Sequence, residues 1–136
     1  TDNAQNRLFF VNGTAGGTTA WYMDSDKRLK QNVSPIENAL EKVLSLTGVN
    51  FEWINPEKRK PGKQIGFLAQ DVESIVPEVV DNTNGKYSMD YSSLNALLVE
   101  AIKEQQKVIE SQKVKIETLE KQNTLIIKRL EVLETK

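Results

Sequence analysis

The feature that most constrains this chain is a heptad repeat in its last third. From about Asn95 onward, apolar residues recur at heptad spacing, and neither glycine nor proline interrupts them. Such a pattern predicts one long helix that enters a coiled coil. With Ile102 at position a, the seam consists of Ile102, Ile109, Ile116, Asn123 and Leu130 at a, and of Gln105, Gln112, Leu119, Ile126 and Leu133 at d.

Charged residues beside the seam indicate how the helices run. Lys115 and Arg129 fall at position g, five residues before Glu120 and Glu134 at position e. This spacing pairs opposite charges between neighbouring parallel helices. The sequence therefore favours a parallel assembly.

The number of helices in the assembly stays open from the heptads alone. Isoleucine at a with one asparagine at a suits a dimer, whereas apolar Val108 at g and Ile127 at e widen the seam as a trimer would. The polar seam residues Gln105, Gln112 and Asn123 either fix register and copy number or are merely tolerated. Neither interpretation gives them a chemical role.

The rest of the chain divides into two further segments. Residues 1–24 contain "RLFFVNGTAGGTTAWY", in which short β-prone runs alternate with turn residues, and we expect them to be the end of a longer β-rich structure. Residues 25–94 form the predicted body, and residues 95–136 form the coiled-coil helix. These three segments are the predicted domains.

The body has the signals of a small α+β unit. Ser34, Pro35 and Glu37 are typical of a helix start, and Gly48 suits its end. The runs "VNFEWI" and "KQIGFLAQ" predict a hairpin, a short helix is expected over residues 71–76, and a second hairpin is expected around Asn84 and Gly85. The predicted fold class is therefore α+β, with short β-strands before the body and a long helix after it.

Composition excludes several classes of function. The 136 residues include no cysteine and no histidine, which rules out disulfides, thiol catalysis, a Ser-His-Asp triad and most zinc sites. We expect no cofactor and no metal, and any general base must be Lys, Asp, Glu or Tyr. With a net charge of -1, interspersed basic residues and no apolar run of about 18 residues, neither nucleic acid nor a membrane is an expected partner.

The basic loop of the body and the aromatic residues around it have ordinary structural interpretations. The loop holds Lys58, Arg59, Lys60 and Lys63, and a charged hairpin tip of this kind is usually solvated. Aromatic side chains in strand-like runs usually belong to the core. We expect this of Trp21, Phe51, Trp53 and Phe67.

A candidate catalytic pair stands where the first segment meets the body. The run Ser25-Asp26-Lys27-Arg28-Leu29-Lys30 offers a hydroxyl and an amine five residues apart, which do not share a helical face and must meet through a turn or across subunits. A lysine ordinarily titrates near 10.4 and acts as a base only where burial or cationic neighbours favour its neutral form. Lys27 and Arg28 would help if they lay close, and Asp26 would oppose it. By spacing alone, this run is typical of a solvated linker.

Four ordered motifs add a family resemblance. "SDKRLKQNV", "FEW", "QIGFLAQDVESIVPEVV" and "YSMDYSSLNALLVEAIKEQQKVIESQ" together resemble the intramolecular chaperone auto-processing domain. This self-cleaving module ends endosialidase tail spikes, other phage fibres and some bacterial surface proteins, and a related one occurs in myelin regulatory factor. The similarity covers about Ser25 to Gln112.

The resemblance implies a function. Domains of this family form homotrimers, assist the folding of the preceding β-structured fibre of the same chain, and then release themselves. Carried over to this sequence, it makes Ser25 the nucleophile and Lys30 its base. It also implies a virion tail-fibre or tail-spike precursor that folds in the host cytoplasm, or a bacterial surface protein, and a fibre-contacting role for the basic loop.

Cleavage is expected at Ser25. The bond between Asp24 and Ser25 is favoured, because the hydroxyl reaches the preceding carbonyl through a five-membered ring; cleavage after Ser25 is the lesser alternative. The reaction would be single-turnover acyl transfer. The competing interpretation is a structural trimerisation domain that never cuts.

Overall fold

Helices alternate with two short β-hairpins in the computed structural model, which describes residues 24–55, 57, 59–83 and 85–135. The predicted α+β class is confirmed, and the strands expected within residues 1–23 lie outside the described residues. The elements are α1 (Ala39–Ser45), β1 (Val49–Phe51), β2 (Gln64–Gly66), α2 (Ala69–Glu73), β3 (Val80–Asp81), β4 (Ser88–Met89) and α3 (Leu94–Glu134).

Both predicted hairpins are present as antiparallel pairs, β1 with β2 and β3 with β4. Gly66 in β2 lies directly beneath Tyr91, so that a Cβ added there would meet the tyrosine Oη at 2.7 Å and the Phe51 ring at 3.2 Å. The same Oη accepts the Phe67 N–H at 3.1 Å. The segment that leads into α3 is thereby fixed against the first hairpin.

The core lies between α1, the start of α3, and α2 with the 3-10 turn Pro77–Val79 that follows it. Its members are small or branched apolar side chains, as suits a body with little interior volume. Only the first part of α3 contributes, and Ala101 is the last buried residue of that helix. The buried set is Ala39, Val72, Val76, Val79, Leu94, Leu97 and Ala101.

The start of α1 differs from the sequence prediction. The helix begins at Ala39 rather than just after Ser34, because Asn38 adopts a left-handed backbone with φ 54°. A residue on α3 then completes the helix end, since the Glu104 carboxylate accepts the N–H groups of Ala39 at 3.1 Å and Leu40 at 2.9 Å. Residues 34–38 are exposed, so no packing extends the helix backward.

The contact from Glu104 to α1 gives a testable prediction. In Glu104→Ala, the amides of Ala39 and Leu40 lose their acceptor, and we expect faster hydrogen exchange at both amides and a lower melting temperature of the body. The two hydrogen bonds hold the pKa of Glu104 below its ordinary value of 4.5. A depressed pKa in the folded state means that this stabilisation is present above about pH 4.5 and is lost as the pH falls. The difference between parent and variant should therefore shrink in acid.

Glu117→Ala is the matched control for this experiment. Glu117 lies on the same helix and is exposed, so its removal should leave exchange at Ala39 and Leu40 unchanged. Equal protection of these amides in Glu104→Ala and the parent at neutral pH would contradict the prediction.

The long helix predicted from the heptads is confirmed as α3, with its start at Leu94. Just before it, the Asp90 carboxylate accepts hydrogen bonds from the N–H and hydroxyl groups of Ser92 and Ser93, which lower its pKa to about 2. The seam residues are exposed in the single chain, for example Ile109 at 49% and Leu133 at 67%. The parallel trimer remains a prediction. In the described part of the chain, no helix has the length and apolar character needed to cross a membrane.

Candidate active site

Ser25 and Lys30 lie in contact. The Lys30 Nζ donates a hydrogen bond to the Ser25 Oγ at 2.8 Å. This is a normal hydrogen-bond distance, and it is the range in which a base can take a proton from a hydroxyl. The two groups that the sequence singled out are therefore adjacent within one chain.

A single 3-10 turn brings the pair together. The turn covers Lys27–Leu29, with the Leu29 N–H bonded to the Asp26 carbonyl at 3.0 Å and the Lys30 N–H bonded to the Lys27 carbonyl at 3.2 Å. It reverses the chain so that residue 30 returns toward residue 25. Of the two routes that the spacing allowed, this structure has the turn within one chain.

Asp26 and Arg28 form an ion pair in the same turn. The Asp26 carboxylate accepts the Arg28 backbone N–H at 2.9 Å, its Nε–H at 3.1 Å and its Nη2–H at 2.6 Å. Hydrogen bonding to the arginine side chain, and then to its backbone N–H, lowers the pKa of Asp26; the carboxylate in turn raises the pKa of Arg28. Both side chains are solvent-exposed, so the ion pair itself contributes little to stability.

This pairing changes the sequence-based view of the local charges. From the sequence, Arg28 is a cation that would favour a neutral Lys30 and Asp26 an anion that would oppose it, but in the structure the two side chains are bound to each other. The signal that sequence reasoning missed is an aspartate two residues before an arginine, since an aspartate often hydrogen-bonds the backbone two residues on. Asp26 thus caps the turn that holds the pair.

The whole arm around the pair is open to solvent in the single chain. Every residue from Asp24 to Asn38 is exposed. Three large apolar side chains on this arm are exposed, Leu29 at 73%, Val33 at 74% and Ile36 at 36%. The Lys30 amine is therefore in contact with water unless another surface covers the arm.

The aromatic residues and the basic loop that the sequence also indicated have contacts of their own. Trp53 stands against Phe51 in an edge-to-face contact with ring centroids 5.0 Å apart, and the Arg59 guanidinium lies 4.0 Å from its ring centroid. Phe67 packs at the edge of the core as expected, whereas Trp53 is 39% exposed. Trp21 and Lys58 lie outside the described residues. Among the described residues, no group of acidic side chains is placed to hold a metal ion.

Comparison with known proteins adds a family. Residues 25–81 match the family model described as the chaperone of endosialidase. A long tail fiber protein Gp37 of Enterobacteria phage K3 is 41% identical over 90 residues, which cover 60% of this chain and 7% of the relative. The long tail fiber protein Gp37 of Enterobacteria phage Ox2 is 34% identical over 99 residues, which cover 68% of this chain and 39% of the relative.

The similarity extends beyond phages and concerns only part of each relative. An uncharacterized protein of Dictyostelium discoideum is 29% identical over 88% of this chain and 12% of its own length. The chain spans less than half the length of these relatives. The family match over residues 25–81 and the similarity to long tail fiber proteins together identify a phage tail-fibre chaperone-type domain in this chain.

Proposed function

We propose that this chain is an intramolecular chaperone that trimerises through α3, assists the folding of a β-structured fibre segment before it, and then cuts itself free at Ser25. The observation that carries the proposal is the 2.8 Å contact between the Lys30 Nζ and the Ser25 Oγ. The part of the chain that matches the family model begins at Ser25, and the phage relatives are long tail fiber proteins. Both observations support a role in tail-fibre assembly.

The chemistry follows from the position of the hydroxyl. A neutral Lys30 amine takes the Ser25 hydroxyl proton while the Oγ attacks the carbonyl carbon of Asp24 through a five-membered ring. The bond between the Asp24 carbonyl carbon and the Ser25 nitrogen breaks, and the new amine takes a proton from the Lys30 ammonium. The resulting ester is hydrolysed by water, which restores the Ser25 hydroxyl and leaves a carboxylate on Asp24. Backbone N–H groups are the default donors for the oxyanion.

Assembly supplies the condition that a single chain lacks. The amine must be uncharged to act as a base, and removal from water favours the uncharged form. In one chain the arm is exposed, with Leu29 and Val33 beside the pair. Packing of three chains would cover these apolar side chains and the amine together. Cleavage then occurs only after assembly has succeeded.

The seam of α3 supports the same sequence of events. Its isoleucines and leucines are about half exposed in the single chain, and burying apolar side chains of this size is the principal driving force for helix association. The helix has the length and pattern to hold chains together whether or not they cut. A trimerisation domain that never cuts is therefore the alternative function.

Mass spectrometry separates the two functions. The freshly expressed chain has an intact mass of 15.4 kDa. We expect this species to decline while two fragments appear, the larger with Ser25 as its new amino terminus. The rate should depend on chain concentration until assembly is complete. A trimer that keeps its full mass through long incubation would exclude the self-cleaving function and leave the alternative.

A further inference from the structure

We infer that Asp26 is a positioning residue for the Ser25–Lys30 pair. It accepts two hydrogen bonds within the turn that joins the two residues, and these bonds hold the Lys30 amine against the Ser25 hydroxyl. The inference rests on the proposed self-cleavage for its catalytic meaning. Its structural part, that Asp26 maintains the contact between the Lys30 Nζ and the Ser25 Oγ, can be measured without cleavage.

Asp26 bonds the turn twice. Its carboxylate accepts the Arg28 N–H at 2.9 Å, and its backbone carbonyl accepts the Leu29 N–H at 3.0 Å. The next bond of the turn, from the Lys30 N–H to the Lys27 carbonyl, places the lysine that reaches Ser25. The turn has no buried residue, so side-chain packing in the single chain does not replace these bonds.

The ion pair also removes an electrostatic obstacle. Asp26 follows Ser25 directly, and an unpaired carboxylate there would favour the charged form of a nearby lysine. Arg28 donates two side-chain N–H groups to that carboxylate and offsets its charge. The charged groups of the segment are Asp24, Asp26, Lys27, Arg28 and Lys30. Asp26 can therefore hold the turn without strongly favouring the charged form of the Lys30 amine.

Cleavage rates of two Asp26 variants test the positioning role. Asparagine caps a helical turn about as well as aspartate, whereas alanine has no side-chain acceptor for the Arg28 N–H and keeps only the backbone carbonyl that accepts the Leu29 N–H. We expect Asp26→Asn to cut within about threefold of the parent rate and Asp26→Ala to cut at least about tenfold more slowly, because a misplaced catalytic group loses rate steeply. Gln31→Ala, next to Lys30 but outside the turn, is the control and should cut at the parent rate. Trimer content is measured in each variant, so that a folding defect is recognised.

A thiol at position 25 tests the contact without cleavage. The chain has no cysteine of its own, so Ser25→Cys introduces one thiol. Its pKa is read from the pH dependence of its alkylation in chains kept apart by Ile109→Asp with Ile116→Asp, in which the proposed mechanism leaves the Lys30 amine in water and the chain uncut. An adjacent lysine ammonium lowers a thiol pKa below its ordinary value of about 8.5. We expect the pKa to rise when Lys30→Ala is added, and to rise similarly with Asp26→Ala but not with Asp26→Asn.

The sign of this shift separates position from charge. Loss of the Asp26 charge alone would stabilise a thiolate and lower the pKa in both Asp26 variants. A rise confined to Asp26→Ala therefore supports positioning, and a fall in both variants overturns it. Parent-rate cleavage by Asp26→Ala would also overturn it.

Self-cleavage and the positioning role of Asp26 are contradicted by different outcomes. If the parent never cuts but the thiol pKa still depends on Asp26 as expected, the proposed self-cleavage is wrong and the positioning of the pair stands. If the parent cuts while the thiol pKa ignores Asp26, the positioning inference is wrong and self-cleavage stands.

Discussion

Ser25→Ala is expected to yield a full-length chain that still forms trimers. Alanine removes the nucleophile and leaves the rest of the exposed arm unchanged, so cleavage should be abolished. Lys30→Ala should slow cleavage by a factor of about 100 to 10,000, the range that a positioned general base provides. The intact and cut species are quantified by mass, and the assembly state is measured by sedimentation.

Controls for this experiment come from the same chain. Ser34→Ala removes a hydroxyl from the same exposed arm, and Lys63→Ala removes an exposed amine next to β2. Both should cut at the parent rate. Loss of trimers in Ser25→Ala or Lys30→Ala would show that the pair serves assembly rather than chemistry, and parent-rate cleavage in either would exclude the dyad.

Acidic residues in the seam are expected to stop both assembly and cleavage. Ile109→Asp with Ile116→Asp places two carboxylates per chain at positions that the proposed coiled coil would bury between helices. Burying unpaired charges costs several kcal/mol each, roughly enough to prevent association. Chains kept apart leave the Lys30 amine in water, and we expect cleavage to fall by a factor of about 100 or more, the contribution of the base.

The matched control puts the same change on the outer face of α3. Val114→Asp and Val132→Asp exchange exposed valines that lie at positions f and c of the heptad, away from the seam. This variant should assemble and cut as the parent does. If dispersed chains of the seam variant cut at the parent rate, cleavage does not depend on assembly, although Ser25 and Lys30 would remain candidates for the chemistry.

The parts of the fold that could be predicted are those with local causes. The heptads of α3 repeat over many turns, and the strand-like runs that contain β1 and β2 flank a loop rich in turn residues, so the long helix and the first hairpin are predictable. The start of α1 was not, because its two decisive features are a left-handed Asn38 and a carboxylate on Glu104, 65 residues from Ala39. The helix-start residues from Ser34 onward do not begin the helix, because residues 34–38 are exposed and have no core to pack against.

The candidate site was predictable in composition but not in geometry. Because the chain has no histidine and no cysteine, the candidate catalytic groups are a hydroxyl and an amine, and the family resemblance identifies them as Ser25 and Lys30. A spacing of five residues permits a turn without specifying one, since the turn depends on how Asp26 shares its acceptors with Arg28 and Leu29. The sequence shows which charges are present, and only the coordinates show that Asp26 and Arg28 neutralise each other.

The far part of α3 makes the shape of the chain depend on its neighbours. From Gln105 to Thr135 every residue is exposed in the single chain, and most helical stability in proteins comes from the packing of an apolar face, which this part of α3 lacks on its own. At high dilution each molecule would consist of a folded body and a partly unwound far part of α3. In the proposed assembly, the far part of α3 would be stabilised only when chains associate, so the local concentration of chains would decide when the protein completes its fold.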